Sequence, residues 1–261
     1  MILSMATVSL KRQCRLLTLA FGFYSRFPVP FVAAERKEIG QASIYLPLVG
    51  LFIGAILGAV SMVLSTHLPV SIVGAIIIAI GVFLSGGLHE DGLADFFDGF
   101  WGGHDRKRVL EIMQDSRVGV FGLLAVIGVL SIQYQCLVAL PIEEWFVFLV
   151  VLQTWSRTWA LILPFFLTYA RSESAPSNIA ADLGKPSLWL YMLLIAGGCL
   201  LPQVGLDAHL VTALTVSSTI LSILLGLWMW RRIGGYTGDC LGAAQQLQLV
   251  VGCIIWVWCV T

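Results

Sequence analysis

Ser43-Ile-Tyr-Leu-Pro-Leu-Val-Gly-Leu-Phe-Ile-Gly-Ala-Ile-Leu-Gly-Ala-Val-Ser-Met-Val-Leu64 runs for more than the roughly 20 apolar residues that a helix needs to cross a bilayer, and it carries no charge. Similar runs lie near 70–87, 118–140, 145–167, 187–202, 210–230 and 246–260, the fifth and seventh being short. With 58% hydrophobic and 11% charged residues the chain departs far from soluble norms. The expectation is an all-α, polytopic membrane helix bundle. It has about seven transmembrane helices plus short interfacial helices, in a single domain over residues 1–261, with the lipid bilayer as solvent.

Orientation follows from the basic residues, which are retained on the cytoplasmic side near span ends. Lys11, Arg12, Arg15, Arg26, Arg36 and Lys37 precede the first span, and Arg106, Lys107, Arg108 and Arg117 lie between the second and third. Arg171 and Lys185 follow the fourth, Arg231 and Arg232 the sixth, and segments 65–69, 141–144 and 203–209 have neither lysine nor arginine. Seven alternating spans with a cytoplasmic amino terminus put all of these loop charges inside. Residues 16–24 are apolar but run into Ser25-Arg-Phe-Pro-Val-Pro30, which predicts an interfacial helix ended by a proline turn and not a cleaved signal. The six cysteines form no CxxC pair and read as packing residues, while a zero net charge with dispersed basic residues argues against nucleic acid as a partner.

Against this hydrocarbon background, Glu90, Asp91, Asp95, Asp98, Asp105, Glu111 and Asp115 are seven of the fifteen acidic residues. In a helix, Asp91, Asp95 and Asp98 fall at i, i+4 and i+7, on one stripe. Like charges that close repel unless protons or a cation intervene, and an oxygen-only set suits Mg²⁺ or Mn²⁺ better than zinc. A phosphate-bearing substrate follows as the first expectation; a solvated acidic loop is the plain alternative. Gly92, Gly99, Gly102 and Gly103 favour the former, as backbone left open to a ligand. His89 adjoins the stripe as a general base or substrate contact, and a zinc site with His104 is the lesser option.

Residues 105–117 read as an amphipathic helix. Arg106 and Arg108 are assigned to substrate phosphates or, alternatively, to lipid headgroups. Asp115 and Arg117 sit where this helix meets the membrane and are expected to coordinate or pair. Arg157, deep within a span, must face the bundle interior, at the site or in a structural pair. In Arg231-Arg-Ile-Gly-Gly-Tyr-Thr-Gly-Asp239, glycines around Thr237 permit an anion-binding turn, and Asp239 offers a further oxygen. Most tryptophans fall near span ends, as an interfacial belt does.

His89-Glu-Asp-Gly-Leu-Ala-Asp-Phe-Phe-Asp-Gly99, Leu110-Glu-Ile-Met-Gln-Asp-Ser-Arg-Val-Gly119 and Gly235-Tyr-Thr-Gly-Asp239 closely resemble motifs of the cobalamin synthase family, the adenosylcobinamide-GDP ribazoletransferases. The resemblance runs nearly end to end and includes Arg26-Phe-Pro-Val-Pro30 and Leu46-Pro-Leu-Val-Gly50. It implies a multi-spanning, Mg²⁺-dependent transferase of the bacterial inner membrane with its active site on the cytoplasmic side. Such an enzyme joins adenosylcobinamide-GDP to α-ribazole or its 5′-phosphate and releases GMP. On that reading Asp91, Asp95, Asp98 and Asp115 hold the metal. Asp95 or Asp98 is the base, with His89 and Arg117 also catalytic, and Arg106, Arg108, Arg157, Thr237 and Asp239 bind substrate. The aspartate spacing is similar to that of CDP-alcohol phosphotransferases, but Asp91-Gly92-Leu-Ala-Asp95 lacks their Ala-Arg element, so only the chemical analogy carries over. An ion-coupled transporter using the acidic cluster is the competing class; a membrane scaffold for other enzymes would tolerate neutral aspartates.

Overall fold

Apolar runs of this length have one low-energy solution in lipid, a helix that satisfies its own backbone. The computed structural model describes residues 2–171 and 206–260, and they form a helical bundle. In chain order the helices are α1 (Ile2–Tyr24), α2 (Arg36–Ala42), α3 (Leu46–Leu64), α4 (Val70–Ser85) and α5 (Leu88–Gly102). Then come α6 (Arg106–Ile112), α7 (Val120–Ala139), α8 (Trp145–Ala160), α9 (Ala208–Ile233) and α10 (Gly238–Val260).

Five stretches among the described residues are long and apolar enough to cross a membrane, and a sixth, the pair α4 and α5, qualifies only as a span broken by an 88° bend. These match six of the seven expected runs when the bent pair is taken as one span; the run at 187–202 lies outside the described residues. The last span is longer than its apolar core suggested, because α10 begins at Gly238 and carries Gln245, Gln246 and Gln248 fully buried. The run at 16–24 is the end of the longer helix α1, whose Leu16, Leu19 and Ala20 join the main core. The amphipathic segment is helical only over Arg106–Ile112, capped by the Asp105 carboxylate on the Arg108 amide.

The bend between α4 and α5 rests on two glycines. Gly86 (φ 68°) ends α4 and Gly87 (φ 70°) starts α5, both in the left-handed region that a Cβ disfavours. The turn redirects the acidic stretch: helix α5 packs against α10 and α7 and does not form a loop.

Bundle packing relies on backbone contact. Gly50, Gly54 and Gly58 recur every fourth residue along the face of α3 that meets α8. A Cβ at Gly54 would lie 2.6 Å from the Leu149 carbonyl, and one at Gly58 would lie 2.6 Å from the Phe146 ring. Small residues at this spacing let helices associate where no hydrophobic force distinguishes protein from lipid. The glycines of the acidic stretch serve the same end. Gly99 and Gly103 accommodate Met113 and Val109 of the α6 segment, and Gly92 faces α10, where its added Cβ would lie 3.0 Å from the Asp239 carbonyl. They admit neighbouring helices, which corrects the expectation that they are kept open for a ligand.

Polar side chains inside the bundle find partners on other helices, as a low-dielectric interior demands. Trp155 Nε1 donates to Ser218 Oγ (2.9 Å), Gln248 to Ser222 Oγ (3.0 Å), Gln245 to Ser156 Oγ (3.0 Å) and Gln133 to Gln246 (2.9 Å).

Gly54→Val forces α3 from α8 and is expected to cost roughly 1–3 kcal/mol. Gly87→Ala meets no neighbouring atom, so it should cost only the backbone term of about 1 kcal/mol. Thermal unfolding of the detergent-solubilised protein reads both, with the larger loss expected at Gly54.

Candidate active site

Helix α5 presents its acidic stripe as a graded series. Asp91 is exposed, Asp95 half-buried and Asp98 buried. The last is spoken for: its carboxylate accepts the backbone amides of Gly119 (2.6 Å) and Gly122 (2.9 Å) at the start of α7. Those amides have no partner within α7, and the positive end of its dipole favours an anion there. Asp98 is thus the cap that ties α5 to α7, with both carboxylate oxygens engaged by backbone amides.

Asp239 joins the stripe beside Asp91 and Asp95. Left-handed Gly234 (φ 71°) ends α9, and Thr237 Oγ1 accepts the Cys240 amide (3.3 Å) to start α10, with Asp239 in the first turn. The glycine segment at 234–238 is therefore a junction between helices, and Thr237, fully buried, caps a helix in place of the expected anion-binding turn. Helices α5 and α10 cross at Gly92 and Gly242, with 3.3 Å between Gly242 Cα and a Cβ built on Gly92. The crossing brings Asp239 close enough for its charge to act on Asp95 together with that of Asp91.

Arg171 answers this accumulation of negative charge. Its guanidinium donates to Asp239 Oδ2 at 2.5 Å and to the Met113 carbonyl at 3.0 Å. A two-strand contact puts it there: the Ala170 amide donates to the Tyr236 carbonyl (2.8 Å) and the Tyr236 amide to the Thr168 carbonyl (2.9 Å). Gly235 permits that approach, since a Cβ would collide with the Thr168 carbonyl oxygen. Sequence reasoning used Arg171 only to orient the membrane, and no local motif marks it. Arg232 was missed likewise; it donates to the Phe100 and Gly103 carbonyls (2.7 Å each) and closes the carboxyl end of α5.

Asp91, Asp239 and His89 line a cavity of about 410 Å³ bounded by α1, α2, α3, α5, the end of α8 and α10. His89 is 4% exposed, and its Nδ1 has no hydrogen-bond partner.

The other expected residues lie elsewhere. Asp115 and Arg117 pair with one another at 2.5 Å on the exposed approach to α7. The Arg117 guanidinium holds the Asp115 carboxyl down at about 2, so the pair stays charged at any physiological pH. Arg106 donates to the Ala170 carbonyl (3.1 Å), whereas Arg108 pairs with Glu111 (3.2 Å) in solvent. His104 is exposed and, among the described residues, no three His, Cys, Asp or Glu side chains close into a metal shell, with or without His89.

Arg157 faces inward as expected, but toward a second, smaller cavity of about 40 Å³ that it shares with Glu90, Gln133, Gln153 and Gln246. It donates to the Gln153 carbonyl (3.0 Å) and side-chain oxygen (2.5 Å), while Glu90 accepts from Gln246 (2.8 Å). The space is large enough for ordered water to join the two charges. Arg157 therefore lies away from the aspartates, facing Glu90 across this small cavity without direct contact.

Asp91, Asp95 and Asp239 offer only carboxylate oxygens, the donor type of a hard divalent cation, and by themselves they do not close on one.

Comparison with known proteins agrees over almost the whole chain. The family described as cobalamin-5-phosphate synthase matches residues 16–257. A Shewanella amazonensis protein named adenosylcobinamide-GDP ribazoletransferase is 41% identical over 249 residues, covering 92% of this chain and 94% of its own. Proteins of the same name from Shewanella oneidensis and Shewanella baltica are 36% and 35% identical, each covering 92% of both chains. No solved structure matches.

Arg157→Met leaves the half-buried Glu90 without the positive charge across the cavity and is expected to lower stability by roughly 1–3 kcal/mol. Adding Glu90→Gln should restore part of it; a double variant as unstable as the single one in thermal unfolding would contradict the pairing.

Proposed function

From the premise that the chain belongs to the cobalamin-5-phosphate synthase family, we propose that it transfers the adenosylcobinamide-phosphate group of adenosylcobinamide-GDP to α-ribazole or its 5′-phosphate, yielding the cobalamin and GMP. The observation that carries the mechanistic reading is the meeting of Asp91, Asp95 and Asp239 beside Arg171, with two of the aspartates at the mouth of a cavity. The carrier alternative finds no support, since the relatives bear a transferase's name.

In the reaction a ribazole hydroxyl attacks the phosphorus joined to cobinamide, the phosphoanhydride bond breaks, and GMP departs with the bonding electron pair. Asp91 and Asp239 line the cavity, and with Asp95 they would hold Mg²⁺ or Mn²⁺. Such an ion, when bound, neutralises charge developing on the phosphates. Asp95 receives the hydroxyl proton; Asp98, with backbone amides on both oxygens, is the weaker candidate for that task. Arg171 holds Asp239 in place and adds a fixed positive charge that helps the departing GMP phosphate. His89 contacts the acceptor. Arg106 and Arg108 lie on the exposed α6, where they attract the polyanionic substrate toward the site. The basic residues flanking the spans favour a cytoplasmic site in the bacterial inner membrane.

Purified protein in detergent, given both substrates with Mg²⁺, should release GMP and form the cobalamin, and EDTA should abolish this. Asp95→Asn should lower kcat by roughly 10²–10⁴ with the fold retained, as removal of a general base does. Full turnover by Asp95→Asn would remove that residue from the chemistry, and turnover in EDTA would dispose of the metal.

A further inference from the structure

The cavity beside the aspartates is lined by two unlike sets of residues. One carries the carboxylates of Asp91 and Asp239. The other is apolar: Phe23 from α1, Ile39 from α2, Leu46 from α3 and Leu161 after α8. A ligand that fills such a space is flat or compact, apolar over most of its surface, and hydroxylated at one end. Among the described residues no lysine or arginine lines the cavity, so the phosphate of a 5′-phosphorylated acceptor would lie outside it.

Size separates the two substrates of the proposed reaction. A volume of about 410 Å³ lies at the small end of the roughly 300–1,000 Å³ range of pockets that enclose small ligands. It suits a nucleoside with an aromatic, methylated base. A corrin macrocycle with its lower arm, diphosphate and guanosine does not fit, so that substrate must meet the aspartates from their open side.

We propose that this chamber, to which α1 and α2 contribute, is the acceptor subsite: the ribazole base packs on its apolar residues and the ribose hydroxyl is delivered to Asp91 and Asp239. The assignment rests on the transferase reading and adds to it which substrate is enclosed. It also gives α1 and α2 a task, since both contribute to the chamber and neither supplies an acidic residue to it.

Two variants of the full-length protein in lipid nanodiscs test it, with α-ribazole and adenosylcobinamide-GDP varied in turn. Ile39→Trp fills the chamber, and Phe23→Ala, at a half-exposed position, enlarges it with little risk to folding. Each is expected to raise KM for α-ribazole by about tenfold or more, as a misfit in an apolar pocket does, while KM for adenosylcobinamide-GDP holds. A rise confined to adenosylcobinamide-GDP, an equal rise for both, or no change in either would overturn the assignment while leaving the transferase standing. If the unmodified protein turned over neither substrate, the transferase reading itself would fail. Equilibrium dialysis with α-ribazole would then judge the chamber alone: binding that Ile39→Trp weakens supports it, and no binding by the unmodified protein overturns it.

Discussion

Everything that distinguishes this bundle from a simple set of spans depends on how closely α5 approaches α10. At Gly92 and Gly242 the two backbones come so near that an added Cβ would lie 3.0 Å from the Asp239 carbonyl. That contact sets Asp239 against a stripe that already carries Asp91 and Asp95, and charge repulsion then requires a counterweight. Arg171 supplies part of it, at 2.5 Å from Asp239. A divalent cation supplies the rest in the proposed reaction. On that proposal the repulsion has a use, because a site already balanced by protein charges would have little affinity for such an ion.

The contact is held from several sides. The turn at Gly86 and Gly87 directs α5 back into the bundle; Asp98 anchors it to the start of α7; Arg232 closes its carboxyl end. On the face of α5 turned to the bundle, Glu90 reaches Gln246 on α10 and, across a small cavity, Arg157 on α8. Neighbouring residues of one helix turn thus divide between tasks: Glu90 fixes rotation from inside while Asp91 faces the substrate cavity. A buried charge is costly without partners, so the network also discriminates against other rotations of α5.

How legible this was in the sequence differs from residue to residue. The 3.6-residue period put Asp91, Asp95 and Asp98 on one stripe, and α5 is indeed a helix over all three. Period alone could not say that Asp98 turns to the amides of α7, because a carboxylate that caps a helix and one that awaits a metal have the same spacing. The repeat of Gly50, Gly54 and Gly58 was visible as a helix contact motif and was read only as part of an apolar run. Gly92 was read as room for a ligand, when the neighbour it admits is α10. Arg171 carried no signal at all: it reaches Asp239 through hydrogen bonds between residues 168–170 and Tyr236, nearly seventy positions away.

Composition and periodicity by themselves determined that this is a helical membrane bundle, that its acids concentrate on one helix face, and that Arg157 must point inward. Hydrocarbon length and charge placement are local properties, and lipid leaves a helix as their main outcome. The motifs, read together, placed the family. Tertiary structure alone decided which of the acids meet, that Asp239 joins Asp91 and Asp95 while Asp98 caps α7, and that Arg157 lines the small cavity with Glu90 and not the large one. Those choices depend on which helix faces touch. In a membrane that is settled by steric fit between small residues and by the partners buried polar groups can reach, and neither is a property of any one segment.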